Sequence, residues 1–122
     1  MSDDTGALSI DVGWICIDCA DPQELASWWQ QLIGGDITVD DDGDVRLDGG
    51  RTPLLFLKVP EPKAVKNRVH LDLRVVDYDD AVGRALAMGA TPADEIYAGS
   101  RWRVLRDPEG NEFCIIRPKD GV

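Results

Sequence analysis

His70 is the only histidine in the chain. It opens an alternating run, His70-Leu71-Asp72-Leu73-Arg74, in which every second side chain is ionisable. Alternate side chains of a strand point to opposite faces. His70, Asp72 and Arg74 therefore share one face, and Val69, Leu71, Leu73 and Val75 pack on the other. Such a polar face suits a cleft, with His70 as acid–base group or metal ligand, or as a structural hydrogen-bonding residue. One imidazole cannot hold a metal without carboxylate or thiolate help. Glu112, Asp18, Asp72 and Cys114 are the candidates for that help. Glu112, Cys114 and Ile116 alternate in a last β-rich run whose orientation the pattern leaves open.

Trp14, Cys16 and Asp18 oppose Ile15 and Ile17 in the same way, and Trp14 lies 56 residues before His70. Trp14 and Trp102 are either walls for a flat ligand or core fillers. Arg101 and Arg103 flank Trp102 and meet either an anionic ligand or surface acids. Cys16-Ile17-Asp18-Cys19 has redox-motif spacing, but its flanks read as a strand and not as a helix start. Buried, reduced thiols are expected for Cys16, Cys19 and Cys114, in keeping with a reducing compartment. Asp40, Asp41, Asp42 and Asp44 read as a solvated turn; as a calcium loop they fail on spacing, since no bidentate Glu follows at the required position. The sequence contains no G-x-S-x-G, no phosphate-cradling glycine loop and no H-E-x-x-H.

The elements that must position these groups occur twice. Val12–Cys19 reads as a strand. Asp21 caps a helix with Pro22 in its first turn and Glu24 three residues on, and Leu25, Trp28, Trp29 and Leu32 recur at helical spacing. Gly34 and Gly35 end it. Ile37–Val39 and Val45–Leu47 flank an Asp-rich turn as a hairpin, and Leu54–Val59 is a further strand. Pro60-Glu61-Pro62 then breaks regular structure. The second half repeats the order: Val69–Val76, a helix from Asp77 to about Met88 with Val82, Leu86 and Ala85 buried, Gly89, then strands at Thr91–Tyr97, Trp102–Leu105 and Phe113–Ile116. Asp107-Pro108-Glu109-Gly110-Asn111 is a turn. The capping Asp21 and Asp77 lie 56 apart, and Gly34 and Gly89 lie 55 apart.

This pattern predicts an α+β fold of two βαβββ modules, forming a curved mixed sheet with the helices outside and a ligand-holding concavity inside. Residues 8–118 are expected to form a single domain, with module one at 10–60, a linker at 60–66 and module two at 67–118. The 122 residues suffice for a core. Residues 1–60 carry 12 acids and 3 bases, and residues 61–122 carry 11 acids and 10 bases. This acidic balance argues against nucleic-acid and anionic-membrane partners. No apolar run reaches membrane-spanning length, and the acidic start Met1-Ser2-Asp3-Asp4 is unlike a secretory signal. A cytoplasmic location is expected.

Three segments carry a family resemblance: Asp-Cys-Ala-Asp-Pro at 18–22 with the Trp pair after it, the stretch 59–73, and Asp-Pro-Glu-Gly-Asn-Glu-Phe-Cys at 107–114. With the repeat, they make the chain resemble the vicinal oxygen chelate superfamily, which includes glyoxalase I, bleomycin-resistance proteins, fosfomycin-resistance enzymes and extradiol dioxygenases. The second and third segments look like a glyoxalase-like subgroup common in actinobacteria. The resemblance implies a homodimer. In metal-using members it implies a His at the start of a module's first strand and a Glu in its last. Carried over, the second module keeps His70, while Trp14 stands at that place in the first. The last-strand position falls at Cys114, with Glu112 two residues earlier, and Leu54–Val59 offers no carboxylate.

Two readings follow. One is a binding protein, with no cofactor or metal expected, holding an aromatic or amphipathic small molecule through Trp14, Asp18, Asp72, Arg74, Trp102 and Cys114. The other is a lyase or isomerase in which His70 is the acid–base group or sole imidazole ligand, helped by Glu112 or Asp72. A ligand-free interaction module, its cleft filled by Trp14 and Trp102, is a third possibility.

Overall fold

The computed structural model describes residues 9–96 and 101–118. The chain divides into two compact units, one ending at Lys58 and the other beginning at Val59. The first contains β1 (Ile15–Cys19), α1 (Pro22–Ile33), β2 (Asp36–Val39), β3 (Val45–Asp48) and β4 (Leu54–Lys58). The second contains β5 (Leu71–Arg74), α2 (Tyr78–Ala87), β6 (Thr91–Pro92), β7 (Trp102–Arg106) and β8 (Glu112–Ile116). The expected βαβββ order thus occurs twice, in an α+β fold with one four-stranded mixed sheet per unit.

Both sheets have the same topology, β1-β4-β3-β2 and β5-β8-β7-β6. The first and last strands of each unit pair in parallel, and the other pairs are antiparallel. Local chemistry sets the helices. The Asp21 carboxylate accepts the Glu24 N–H at 3.2 Å, and that of Asp77 accepts the Asp80 N–H at 3.0 Å, each satisfying a helix-start donor. At the other end of α1 the Gly34 N–H donates to Gln30 O at 2.8 Å.

α1 buries Leu25, Ala26, Trp28 and Trp29 and packs on β2, β3 and β4. Under it lie Val45, Leu47, Leu54 and Phe56, all buried. α2 buries Val82 and Ala85 and packs on β8, whose Phe113 and Ile115 are buried. Each such large apolar side chain contributes about 1.5–3 kcal/mol through its removal from water.

Several strands are shorter than the sequence pattern predicts. β5 covers Leu71–Arg74 and not Val69–Val76, because its register with β8 runs only from Leu71↔Phe113 to Arg74↔Ile116. Val69 is consequently 76% exposed, against the expectation that it packs on the helix. The Thr91–Tyr97 strand stops at Pro92. Beyond it the Ile96 N–H turns back to Ala93 O at 3.0 Å, and Asp94 pairs with Arg103 and Glu95 with Arg106. Tyr97 lies outside the described residues. Cys16 is exposed while Cys19 and Cys114 are buried. The burial expected for Cys16 fails because it falls on the face of β1 away from α1.

Candidate functional site

Sheet register decides which side chains meet. In the second unit Asp72 of β5 pairs with Cys114 of β8, and Cys114 pairs with Val104 of β7. Residues paired in register point the same way. Leu71, Phe113 and Leu105 therefore share the helix side, and Asp72, Cys114 and Val104 share the other. Ile116 pairs with Trp102 and extends this second face. The orientation of the last strand, open in the sequence pattern, is thereby fixed: Cys114 and Ile116 face away from α2.

A pocket of about 280 Å³ lies on this face, lined by His70, Asp72, Arg101, Trp102, Cys114 and Ile116. Trp102 and Ile116 make an apolar wall, and His70, Asp72 and Arg101 make a polar edge. His70 Nε2 lies 3.1 Å from Asp72 Oδ1. One ligand-type atom each from His70, Asp72 and Cys114 lies within 4.8 Å of the others. Cys114 is 3% exposed.

Glu112 is placed differently. Its carboxylate, 5% exposed, accepts the Asn67 N–H at 2.9 Å, lies 3.1 Å from Lys63 Nζ and pairs with Arg106 Nε at 3.5 Å. Burial disfavours its charge, but the hydrogen bonds from Asn67 and Lys63 outweigh that and hold its carboxyl below the ordinary 4.5. The structure thus engages Glu112 with two cations and a backbone amide.

Trp14 and Asp18 belong to the first unit. Trp14 is 49% exposed, with the Arg46 guanidinium 5.5 Å from its ring centre, a cation–π distance. Arg74 is exposed and does not line the pocket. Of the lining residues, Arg101 is one that the sequence offered as a partner for an anionic ligand, and Ile116 was not singled out as a contact. The signal for Arg101 was its place beside Trp102. That for Ile116 was its alternation with Cys114.

The glyoxalase-like domain family matches residues 14–116. The chain belongs to that family. No curated protein sequence matches it, but solved structures share its fold. A glyoxalase/bleomycin resistance protein/dioxygenase family enzyme from Burkholderia phytofirmans is 24% identical over 88% of this chain and 98% of its own, with a TM-score of 0.73. TnmS3, an antibiotic-binding protein from Streptomyces, is 20% identical over 93% of this chain and 100% of its own, at 0.68. A mutant of the fosfomycin resistance protein FosX from Listeria monocytogenes, complexed with Mn(II) and a dihydroxypropylphosphonic acid, is 11% identical over 93% and 94%, at 0.75.

The family resemblance raises the question of a metal. This glyoxalase-like domain has an imidazole at His70 where such a site starts, but a thiol at Cys114 where a carboxylate is implied, and Trp14 in place of a second imidazole. The donors gathered at the pocket are one nitrogen, one carboxylate and one sulfur. That set fits a metal only of a kind that accepts thiolate.

Proposed function

We propose that this glyoxalase-like domain is a small-molecule-binding protein that holds an amphipathic, partly aromatic compound in the pocket on β5, β7 and β8. The pocket's two-sided lining carries this reading: Trp102 and Ile116 offer apolar contact, and His70, Asp72 and Arg101 offer a few placed polar groups. Small-ligand sites have this make-up. The antibiotic-binding role of TnmS3 supports it by analogy of fold. The incomplete set of family metal ligands favours sequestration over metal-dependent turnover. A homodimer in the cytoplasm is part of the reading, and sedimentation velocity checks the dimer.

Fluorescence titration with a panel of fused-ring and amphipathic antibiotics tests it. Quenching at micromolar ligand, lost in Trp102→Ala with the fold intact, is expected, and the ligand is recovered chemically unchanged. Equal binding by folded Trp102→Ala would remove this reading.

The contact between His70 and Asp72 favours a second one. A carboxylate at 3.1 Å from Nε2 fixes an imidazole's orientation, as an acid–base catalyst requires. Here the protein is a lyase or isomerase acting on a small oxygenated substrate. Turnover by the wild type and its loss in His70→Ala identify this case.

A further inference from the structure

We propose that Ile96 is the end wall of the pocket and sets the length of the ligand it accepts. This rests on the binding function proposed above and deepens it: the pocket takes a small aromatic anion, with its head at Arg101 and its tail stopped by Ile96.

The sheet register gives the pocket a direction. On the face turned away from α2, Trp102 pairs with Ile116, and further along the same strands Val104 pairs with Cys114. Two residues of strand span roughly 6–7 Å. Arg101 lies on the other side of Trp102 from Val104 in the chain. Arg101, Trp102, Ile116 and Cys114 all line the pocket. A ligand whose anionic group meets Arg101 and whose ring lies on Trp102 and Ile116 therefore points its other end at Cys114 and Val104.

That end is covered. β6 stops at Pro92, opposite Leu105, and the chain then turns onto the sheet face. The Ala93 N–H donates to Val104 O at 3.0 Å. Ala93, Val104 and Cys114 form a buried apolar cluster, and Ile96 packs against it. Cys114 thus belongs both to the pocket lining and to the ground that Ile96 covers. The turn itself is anchored. The Ile96 N–H donates to Ala93 O at 3.0 Å, and Asp94 and Glu95 pair with Arg103 and Arg106 of β7. A side chain seated in this way is a fixed stop, because close-packed groups give way little. Ile96→Ala removes the outer carbons of the stop, and a ligand tail can take their place. Each methylene buried there is worth about fourfold in affinity.

The test uses the full chain with Cys16→Ser, which removes the exposed thiol, as the parent of every variant. 4-Alkylbenzoates from methyl to hexyl are titrated by calorimetry. In the parent, affinity is expected to rise with tail length to an optimum and then fall. Ile96→Ala moves the optimum about two to three carbons longer, and tails past the parent's optimum gain about 10-fold or more. Labelling with methyl methanethiosulfonate, read by peptide mass spectrometry, checks the wall without a ligand. Cys114 is expected to label roughly 10-fold faster in Ile96→Ala than in the parent. Val82→Ala, which loosens α2 on the other side of the sheet, controls for general destabilisation. Circular dichroism checks each fold, and Ile96→Val, with an optimum moved by about one carbon, carries the test if Ile96→Ala does not fold. The proposal is overturned if the optimum is unmoved in a folded variant, or if Cys114 labels no faster in Ile96→Ala than in Val82→Ala. It is also overturned if no benzoate binds either protein, and the antibiotic titration above then decides the binding function by itself.

Discussion

Lys63 and Glu112, 49 residues apart in sequence, meet with Nζ 3.1 Å from Oε1. Through this pair and the Asn67 N–H bonded to the same carboxylate, the segment leading into His70 is fastened to β8. Glu112 thereby fixes the chain that delivers the imidazole to the pocket. Glu112→Gln is expected to lower stability by about 1–3 kcal/mol, the range for hydrogen bonds to a charged, largely buried group. Urea unfolding measures it.

The same carboxylate gives a pH dependence of known sign. Its folded value lies below the ordinary 4.5, so its contribution is complete above about pH 4.5 and is lost as pH falls through the lower folded value. The urea midpoint of the wild type is expected to drop on acidification below about pH 4.5. In Glu112→Gln that drop is shallower. Parallel curves for the two proteins would show that other carboxylates govern acid unfolding.

Two glycines with positive φ separate a conformational cost from a steric one. At Gly43, φ is +88° and a Cβ meets open space. At Gly35, φ is +102° and a Cβ falls 2.4 Å from Asp48 O. Gly43→Ala is expected to cost about 1–2 kcal/mol, the left-handed penalty alone. Gly35→Ala is expected to cost more than about 3 kcal/mol, because backbone must also shift. Thermal melts of the two variants rank them.

The helix caps predict a matched pair. Asp21→Ala and Asp77→Ala each remove one side-chain bond to a helix-start N–H and are each expected to cost about 0.5–2 kcal/mol. Chemical denaturation of the single and double variants checks this. A double variant whose loss equals the sum would show the two caps to be energetically independent.

Arg101 is the pocket's guanidinium, so ligands with an anionic end are expected to depend on it. Arg101→Ala should weaken an anionic ligand about 10-fold or more, the loss of one charge-assisted hydrogen bond. A neutral analogue should be nearly unaffected. Calorimetric titration of both ligands decides whether Arg101 acts as an anion partner.

Local signals were legible in the sequence where the interaction itself is local. Asp21 with Glu24 and Asp77 with Asp80 are three residues apart, and both caps form as their spacing predicts. The Asp40 turn likewise closes on itself, with Asp40 Oδ1 accepting the Asp42 and Asp44 N–H groups. Alternation also placed Asp72 of β5 and His70, which immediately precedes that strand, on one side. It could not orient β8, because every residue from Glu112 to Ile115 is buried and two-sided burial erases the polar–apolar contrast. Only the parallel pairing with β5, a contact between distant stretches, puts Cys114 beside Asp72. Glu112 was legible as a carboxylate near Cys114. Its partners Lys63 and Arg106 come from a loop and another strand, so no spacing rule reveals them. β5 is shorter than its β-rich stretch for a related reason: such a sequence extends a strand only as far as a neighbour supplies hydrogen bonds.

The identical strand order of the two sheets gives the chain an internal control. Whatever arises from backbone topology alone must be present twice, once around Trp14 and once around His70. Whatever arises from side chains at that shared position is present once. Exchanging the two, with His at 14 and Trp at 70, would ask whether binding follows the residue or the half of the molecule that carries it.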